Sequence, residues 1–458
     1  MTFKDMLHHQ SRTYATFPIS NPKLIKQQML TWALPFNICC FLDNQDYPGL
    51  PADPAAFECL LAAGAIETFS TPAGDAFLAM KTWAMTHNEW LFGHLSYGLA
   101  AETEPTKQTI PARVEGNHAL AETDPAAGGT DPIGFPDLFF FLPETVIELH
   151  RDHIRIGAIH HEPATIWEEI RQTEPRHTVS LSPVTFTPRI TREKYLSTIR
   201  TLQQHILRGD CYEINFCQEF FARSAHPDHY SLWQALSKAS PNPFSAYYRV
   251  DQSYLFCASP ERYLKKTGST LWSQPIKGTA PRYPDDAGAD EESRRELFHS
   301  GKNRSENVMV VDLVRNDLAR ICQPGSVRVT ELYGVYPFPQ VFQMISTIEG
   351  TLAAGRHWVD ALEATFPMGS MTGAPKNRVV QLILQYERSR RGLFSGALGY
   401  VTPNGDFDFN VVIRSLLYNA NEGYLSYQVG SGITFYSDPH HEYEECLMKA
   451  AGILKAFT

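Results

Sequence analysis

The chain reads as an α+β protein, and three features lead there. Strand-like runs and helical patterns are mixed along its length without the strict βαβ alternation of a doubly wound sheet. The glycine-rich fingerprints of dinucleotide-binding and phosphate-binding loops are absent, which argues against nicotinamide or ATP chemistry. Of the 458 residues, 43% are hydrophobic and 20% charged, so there is apolar material for a large core and, by length alone, for two or three domains.

From the N-terminus, MTFKDMLHHQSRTYATF lacks the apolar centre of a secretory leader. The most apolar stretch, LFFFL from Leu138 to Leu142, is far too short to cross a bilayer. A cytoplasmic chain with no membrane partner is expected. Residues 102–137 are rich in Pro, Gly, Ala and acids and predict a long surface loop between the apolar blocks at 90–99 and 139–149. Residues 172–189 form a second, Pro/Thr/Ser-rich connector. Thr191 then suits the cap of a helix whose apolar residues Tyr195, Ile199, Leu202 and Ile206 follow a 3.6 period, with Gly209 as its stop. Strand-like runs follow at 246–250, 254–258 and 396–402. The acidic segment 285–292 between them reads as a solvated excursion.

A net charge of −10 without a long basic run argues against nucleic acid or an anionic membrane as partner. Eight cysteines without a CxxC read as buried thiols rather than a disulfide framework. The pairs His160-His161 and His440-His441 lack standard zinc-ligand spacing, so no transition-metal site is expected.

Several clusters in the second half place chemistry-bearing residues where packing alone would not ask for them. Ser259-Pro260-Glu261-Arg262 closes one apolar strand, and Pro275-Ile276-Lys277-Gly278-Thr279 follows another. Ser370 to Lys376 (SMTGAPK) reads as a glycine-containing turn entering a helix, whose free N–H groups favour an anion. Arg414 stands inside the apolar run FNVVIRSL and needs an anionic partner, which a substrate carboxylate would supply bidentately. Glu306 leads an apolar run in which Val310, Leu313 and Asp317 continue one helical face. Glu442, Glu445 and Lys449 fall on one face of another helix. Carboxylates converging from two helices, with little sulfur or imidazole nearby, suit a hard cation such as Mg²⁺. Any one of these glutamates, taken alone, reads as a solvated helix face.

Together the motifs SPER, PIKGT, SENVMVVDLVRNDL, MTGAPK, VVIRS, GSGI and EYEEC, in this order, resemble the chorismate-utilising enzymes: anthranilate and aminodeoxychorismate synthase components I and the isochorismate and salicylate synthases. The resemblance is sharp from about Arg192 to Thr458. It is weaker in the first half, through Phe41-Leu42-Asp43-Asn44 and Trp90-Leu91-Phe92-Gly93. It implies an N-terminal component I region at 1–188 and a chorismate-binding catalytic region at 189–458. These would be intertwined in a single sandwich of two orthogonally packed, mainly antiparallel sheets with flanking helices. It further implies that Glu306 and Glu445, with Glu442 nearby, hold Mg²⁺ against the ring carboxylate of chorismate. Tyr400 and Arg414 would bind the enolpyruvyl carboxylate, Thr372, Gly430, Gly432 and Lys449 would line the pocket, and Glu261 would be the general acid at the C4 hydroxyl.

Within the family one position discriminates. Anthranilate synthases have alanine in the PIxGT motif and many aminodeoxychorismate synthases have lysine; this chain has Lys277. A lysine made neutral by desolvation could add to ring carbon C2, expel the C4 hydroxyl and be displaced by ammonia at C4. The implied product is 4-amino-4-deoxychorismate, for folate biosynthesis. Glu213 replaces the water-activating lysine of isochorismate and salicylate synthases, Gln343 replaces a histidine of anthranilate synthases, and Leu42-Asp43-Asn44 only approximates a tryptophan-feedback signature. No G-x-C-x-G elbow surrounds any cysteine, so ammonia would come from solution or from a separate glutamine amidotransferase subunit. Anthranilate synthase component I and a non-catalytic amino-acid-sensing subunit are the alternatives.

Overall fold

The computed structural model describes residues 11–47, 49–50, 53–54, 57–104 and 131–457. Most of the 102–137 stretch, expected as a surface loop, lies outside them. Two sheets dominate, and among the described residues every strand pair is antiparallel. The larger has 12 strands. Its order is Thr13–Pro18, His153–Ala158, Thr145–Leu149, Cys59–Ala63, Ile38–Asp43, Phe244–Val250, Ser253–Ser259, Ser415–Asn419, Tyr424–Ile433, Glu213–Ala222 and Thr187–Pro188, with Gly373–Ala374 also pairing to Glu213–Ala222. The second has 10 strands. It runs from Ile276–Pro281 through Val341–Thr351, Thr270–Gln274, Arg262–Thr267, Phe407–Val411, Ala397–Val401, Leu91–Leu95 and Leu138–Leu142 to Glu67–Thr71, with Arg328–Pro337 also on Val341–Thr351.

Strand alternation explains how the sheets are covered. In the central strands of the larger sheet, Cys40, Leu60, Ala62, Ala246, Tyr248 and Leu255 face one core, shared with Phe92, Phe140, Leu264, Leu398 and Phe409 of the smaller sheet. Their neighbours Cys39, Phe41, Leu61, Tyr247 and Phe256 face a second core closed by helices, including Ile25 and Met29, Ile199 and Leu202, and Val379 and Ile383. A sheet buried on both faces needs near-continuous apolar strands, and CLLAA and SYLFCAS are of that kind. The first 188 residues supply strands to both sheets: Ile38–Asp43 pairs with Phe244–Val250, and Leu91–Leu95 pairs with Ala397–Val401.

The helix Arg192–Leu207 begins where expected, with the Thr191 side chain accepting from the Lys194 N–H, and Gly209 (φ +82) follows it. Segment 285–292 differs from expectation. It opens a helix, Ala287–His299, capped by Asp286 and studded with Arg294–Glu291 and Arg295–Glu292 pairs at i,i+3. Local charge pairing and a good N-cap suffice for a helix that buries little beyond Ser293 and Leu297. Helix Gly301–Ala319 packs on Ile276–Pro281 and Val341–Thr351, and helix Pro439–Leu454 packs on Tyr424–Ile433 and Arg192–Leu207. Among the described residues no helix is long and apolar enough to cross a membrane.

One buried ion pair ties the Gly301–Ala319 helix to the helix that follows the MTGAPK turn. Lys376 Nζ donates to Asp317 Oδ2 at 2.6 Å and to the Thr365 carbonyl at 3.2 Å, with both charged side chains about 95% hidden from solvent. Burial pushes the Asp317 carboxyl up to about 6, against the pull of Lys376. Lys376→Met leaves a buried carboxylate without its partner and should cost about 3–5 kcal/mol at pH 8. With the folded pKa raised above the unfolded one, near 3.9, the carboxyl is neutral in the fold at low pH. The penalty should therefore shrink as pH falls towards 5. Urea unfolding at the two pH values checks it; an equal loss at both would contradict the pairing.

Candidate active site

Lys277 lies where the register of its strand slips, between the pairs Ile276–Ile345 and Thr279–Gln343. Such an irregularity re-aims a side chain. The next residue, Gly278, has φ +103, and a Cβ there would press on Asn303 Cβ at 3.1 Å. Freed from the ladder, Lys277 reaches the other sheet, where its Nζ donates to Glu213 Oε1 at 2.6 Å. The pair is buried, with side-chain exposures of 14% and 3%.

Glu213 is fixed by its backbone. It opens the strand Glu213–Ala222 and pairs with Ala374; the Tyr212 N–H donates to the Ala374 carbonyl at 2.7 Å, and the Asn215 N–H to the Thr372 carbonyl at 2.7 Å. Gly373, at φ +144, lets this turn lie flat on the strand, because a Cβ would fall 2.1 Å from the Glu213 carbonyl oxygen. Arg391 locks the turn from behind: paired with Glu387 at 2.6 Å, it donates to the carbonyls of Met371 (2.7 Å) and Asn215 (2.8 Å). Gly432 roofs the pair. A Cβ there would lie 2.4 Å from Glu213 Oε1 and 2.7 Å from Lys277 Nζ.

Glu261 stands at the turn between Ser253–Ser259 and Arg262–Thr267 and is buried. Burial pushes its carboxyl up to about 7, against the charges of Lys277 and Arg414. Arg414, at φ +52, is in the connection to Ser415–Asn419. Burial lowers its pKa while Glu261 raises it, and among the described residues no carboxylate is in ion-pair contact with it. Glu306 and Glu445 approach Lys277 from the two flanking helices, and both act on its charge. Burial raises the Glu306 carboxyl. Glu445 is lowered despite burial, because Lys449 Nζ lies 2.8 Å from its Oε1. Lys449 also donates to the Gly430 carbonyl at 2.9 Å, and Gly430 itself is required where a Cβ would meet Cys217 Sγ at 2.4 Å. The Thr372 hydroxyl donates to the Met368 carbonyl at 3.1 Å, so this side chain braces the turn.

Two expectations need correction, and the setting of a third residue gains detail. Desolvation does work against the charge of Lys277, but Glu213, Glu306 and Glu445 outweigh it, and the amine is held above the ordinary lysine range. Tyr400 does not join Arg414. With Leu398, Asp408 and Asn410 on the same strand faces, it lines a separate cavity of about 100 Å³ that also takes Leu42, Asp43 and Arg262, and its ring packs on Phe57 and Trp90. Alternation from Leu398 to Tyr400 would have given that face away. Finally, Glu442 is buried in the first turn of its helix, where its charge acts on Tyr195. Among the described residues no group of three or more His, Cys, Asp or Glu is close enough to hold a metal. Of the three glutamates expected at a metal, Glu306 and Glu445 are the ones whose charges act on Lys277. Gln343 accepts from the Thr279 hydroxyl at 2.9 Å. Glu213 was legible as an acid in the apolar run EINFCQEFF, the kind of buried charge that needs a partner.

Residues 61–455 match the family model described as chorismate binding enzyme. The chain belongs to that family. It is 40% identical over 265 residues to aminodeoxychorismate synthase component 1 of Klebsiella aerogenes, which is 58% of each chain. It is 39% identical over 292 residues to the Escherichia coli K12 protein of the same name, 63% of each. The chain thus spans less than two thirds of the length of these two relatives. The fold matches that of anthranilate synthase component I from Streptococcus pneumoniae with a TM-score of 0.72 at 24% identity, over 90% of this chain and 95% of that one.

The environment of Glu261 can be read without any assay of turnover. Infrared titration should find one carboxyl C=O band that persists into the neutral range and disappears with a midpoint of about 7. Glu261→Gln should lack it. A wild-type spectrum at pH 7 with no carboxyl band beyond those of Glu261→Gln would show that burial does not govern this group.

Proposed function

We propose that the chain is an aminodeoxychorismate synthase acting in the cytoplasm, converting chorismate and ammonia to 4-amino-4-deoxychorismate for 4-aminobenzoate and folate biosynthesis. The observation that carries this reading is the buried lysine amine of Lys277, projected by a strand irregularity to where its charge acts on Glu261. The similarity to aminodeoxychorismate synthase components 1 supports it.

Arg414, without a carboxylate partner among the described residues, would take the enolpyruvyl carboxylate. Glu261, half-protonated near neutral pH, would give its proton to the departing C4 hydroxyl, which leaves as water. Lys277 would add through Nζ to C2 as that bond breaks. Ammonia would then bond to C4 while the C2–Nζ bond breaks, and the C4 ammonium would return a proton to Glu261. Glu306 and Glu445 are the residues that would hold Mg²⁺, with Glu442 acting through water. Two oxygen ligands at a partly open position fit a hard cation that keeps most of its waters. When bound, the ion would neutralise the ring carboxylate.

All eight cysteines are buried and burial raises every one of their thiols. None has the activated character that hydrolysis of glutamine requires. Ammonia would therefore come from solution or from an amidotransferase subunit.

Incubation with chorismate, Mg²⁺ and ammonium should yield a product whose mass fits replacement of hydroxyl by amine, convertible to 4-aminobenzoate by an added lyase. Fluorescent anthranilate would overturn the reading. Lys277→Arg keeps the positive charge but offers no neutral amine, and should lower turnover by about 10²–10⁴. Full activity in that variant would remove Lys277 from the chemistry. Glu306→Ala should raise the Mg²⁺ concentration for half-maximal turnover by about 100-fold, with a melting temperature near that of wild type. An unchanged Mg²⁺ dependence would free Glu306 from the metal.

A further inference from the structure

A nucleophilic lysine has to lose a proton first, and the surrounding carboxylates hold Lys277 as an ammonium. Its proton has nowhere obvious to go. The side chain is 14% exposed, and among the described residues the one acceptor in hydrogen-bond contact with Nζ is Glu213 Oε1, at 2.6 Å. The carboxylates on the flanking helices act on Lys277 only through longer-range charge, and each has a lysine of its own. Glu445 is 2.8 Å from Lys449, and Glu306 is 3.9 Å from Lys302. Glu261 feels the charges of both Lys277 and Arg414, but among the described residues it makes no hydrogen bond to Nζ.

Glu213 carries a further mark. Its second oxygen, Oε2, is fully buried and has no hydrogen-bond partner, an arrangement that costs stability and calls for an explanation. Gly432 puts no side chain of its own over Oε1 and Nζ. The strand and turn fix the backbone of Glu213 on one side, and the register slip delivers Lys277 from the other. A pair brought together from two sheets, with one half of the carboxylate unsatisfied, has the geometry of a proton couple.

We propose that Glu213 is the proton acceptor that turns Lys277 into a nucleophile and the donor that restores it afterwards. This rests on the reading of Lys277 given above. One Nζ–H bond breaks as an O–H bond forms on Glu213, leaving a neutral amine and a neutral acid. The amine lone pair forms the Nζ–C2 bond while the C4–O bond breaks and the Glu261 proton leaves with the hydroxyl as water. When ammonia bonds to C4, the C2–Nζ electron pair returns to the lysine. Glu213 then gives back its proton, and the ion pair is restored. No oxidant or further reactant is needed.

The test compares wild type with Glu213→Gln and Glu213→Ala, saturated with Mg²⁺, chorismate and ammonium. Rapid acid quench and mass spectrometry follow the adduct on the Lys277 peptide, while kcat and the chorismate KM are measured in parallel. Glutamine keeps the size of the side chain and an oxygen for Nζ but cannot take the proton. Glu213→Gln should therefore lower kcat and the adduct burst by about 100-fold and leave the chorismate KM within about twofold. In Glu213→Ala, added formate should restore turnover at least tenfold, and chloride at equal ionic strength should not. A Glu213→Gln enzyme with a wild-type burst, an effect confined to KM, or no rescue by formate would each overturn the proposal. If wild type forms no Lys277 adduct, the nucleophile reading falls and this one with it. If wild type forms it and Glu213→Gln forms it equally fast, only the role of Glu213 is lost.

Discussion

A sheet buried on both faces has no solvated side on which to put a polar residue, and that constraint organises this molecule. The central strands of the larger sheet carry alternate side chains into two different cores, one shared with the second sheet and one with helices. Charge can enter such a sheet only at strand ends, at slipped register or in pairs. The groups gathered around Lys277 follow that rule. Glu213 opens a strand, Glu261 stands at a turn between two strands, Arg414 lies in a connection at positive φ, and Lys277 itself occupies a register slip. The site lies where the two sheets and two helices meet, one of the places where the packing leaves room for charge; the buried Lys376–Asp317 pair is another.

The same constraint sets what the sequence could and could not convey. Elements with local signals were legible: the helix capped by Thr191, the strands around 246–258, and the shared helix face of Glu445 and Lys449. Segment 285–292 was misread because its average polarity hides a capped, charge-paired helix. The N–H-rich turn at Ser370–Lys376 did precede a helix, and its most telling feature was the glycine that lets Glu213 come close.

The rest depended on distance along the chain. Glu213, 64 residues away, was a conceivable partner for Lys277 from sequence, but only the fold shows that it and the flanking carboxylates outweigh desolvation. Tyr400 was assigned by motif, whereas strand alternation places it with Leu398 on the face of another cavity. Glu306 and Glu445 do flank Lys277, whereas Glu442, on the helix of Glu445, is buried where its charge acts on Tyr195. Family likeness identified the neighbourhood; pairing across the sheets decided which residues are in it.

The pairing of Ile38–Asp43 with Phe244–Val250, and of Leu91–Leu95 with Ala397–Val401, has a consequence for synthesis. A growing chain leaves the ribosome from its N-terminus at about 5–20 residues per second. The strands from the first hundred residues thus emerge long before their neighbours exist. For much of translation both sheets are unfinished, with open strand edges and one wall of each core missing, and such edges are templates for misassembly. Contacts of this sequence separation also slow folding after release. Residues 38–43 and 91–95 thus stay without these partners until 244–250 and 397–401 have been made, an exposure that an arrangement of two sequential domains would have avoided.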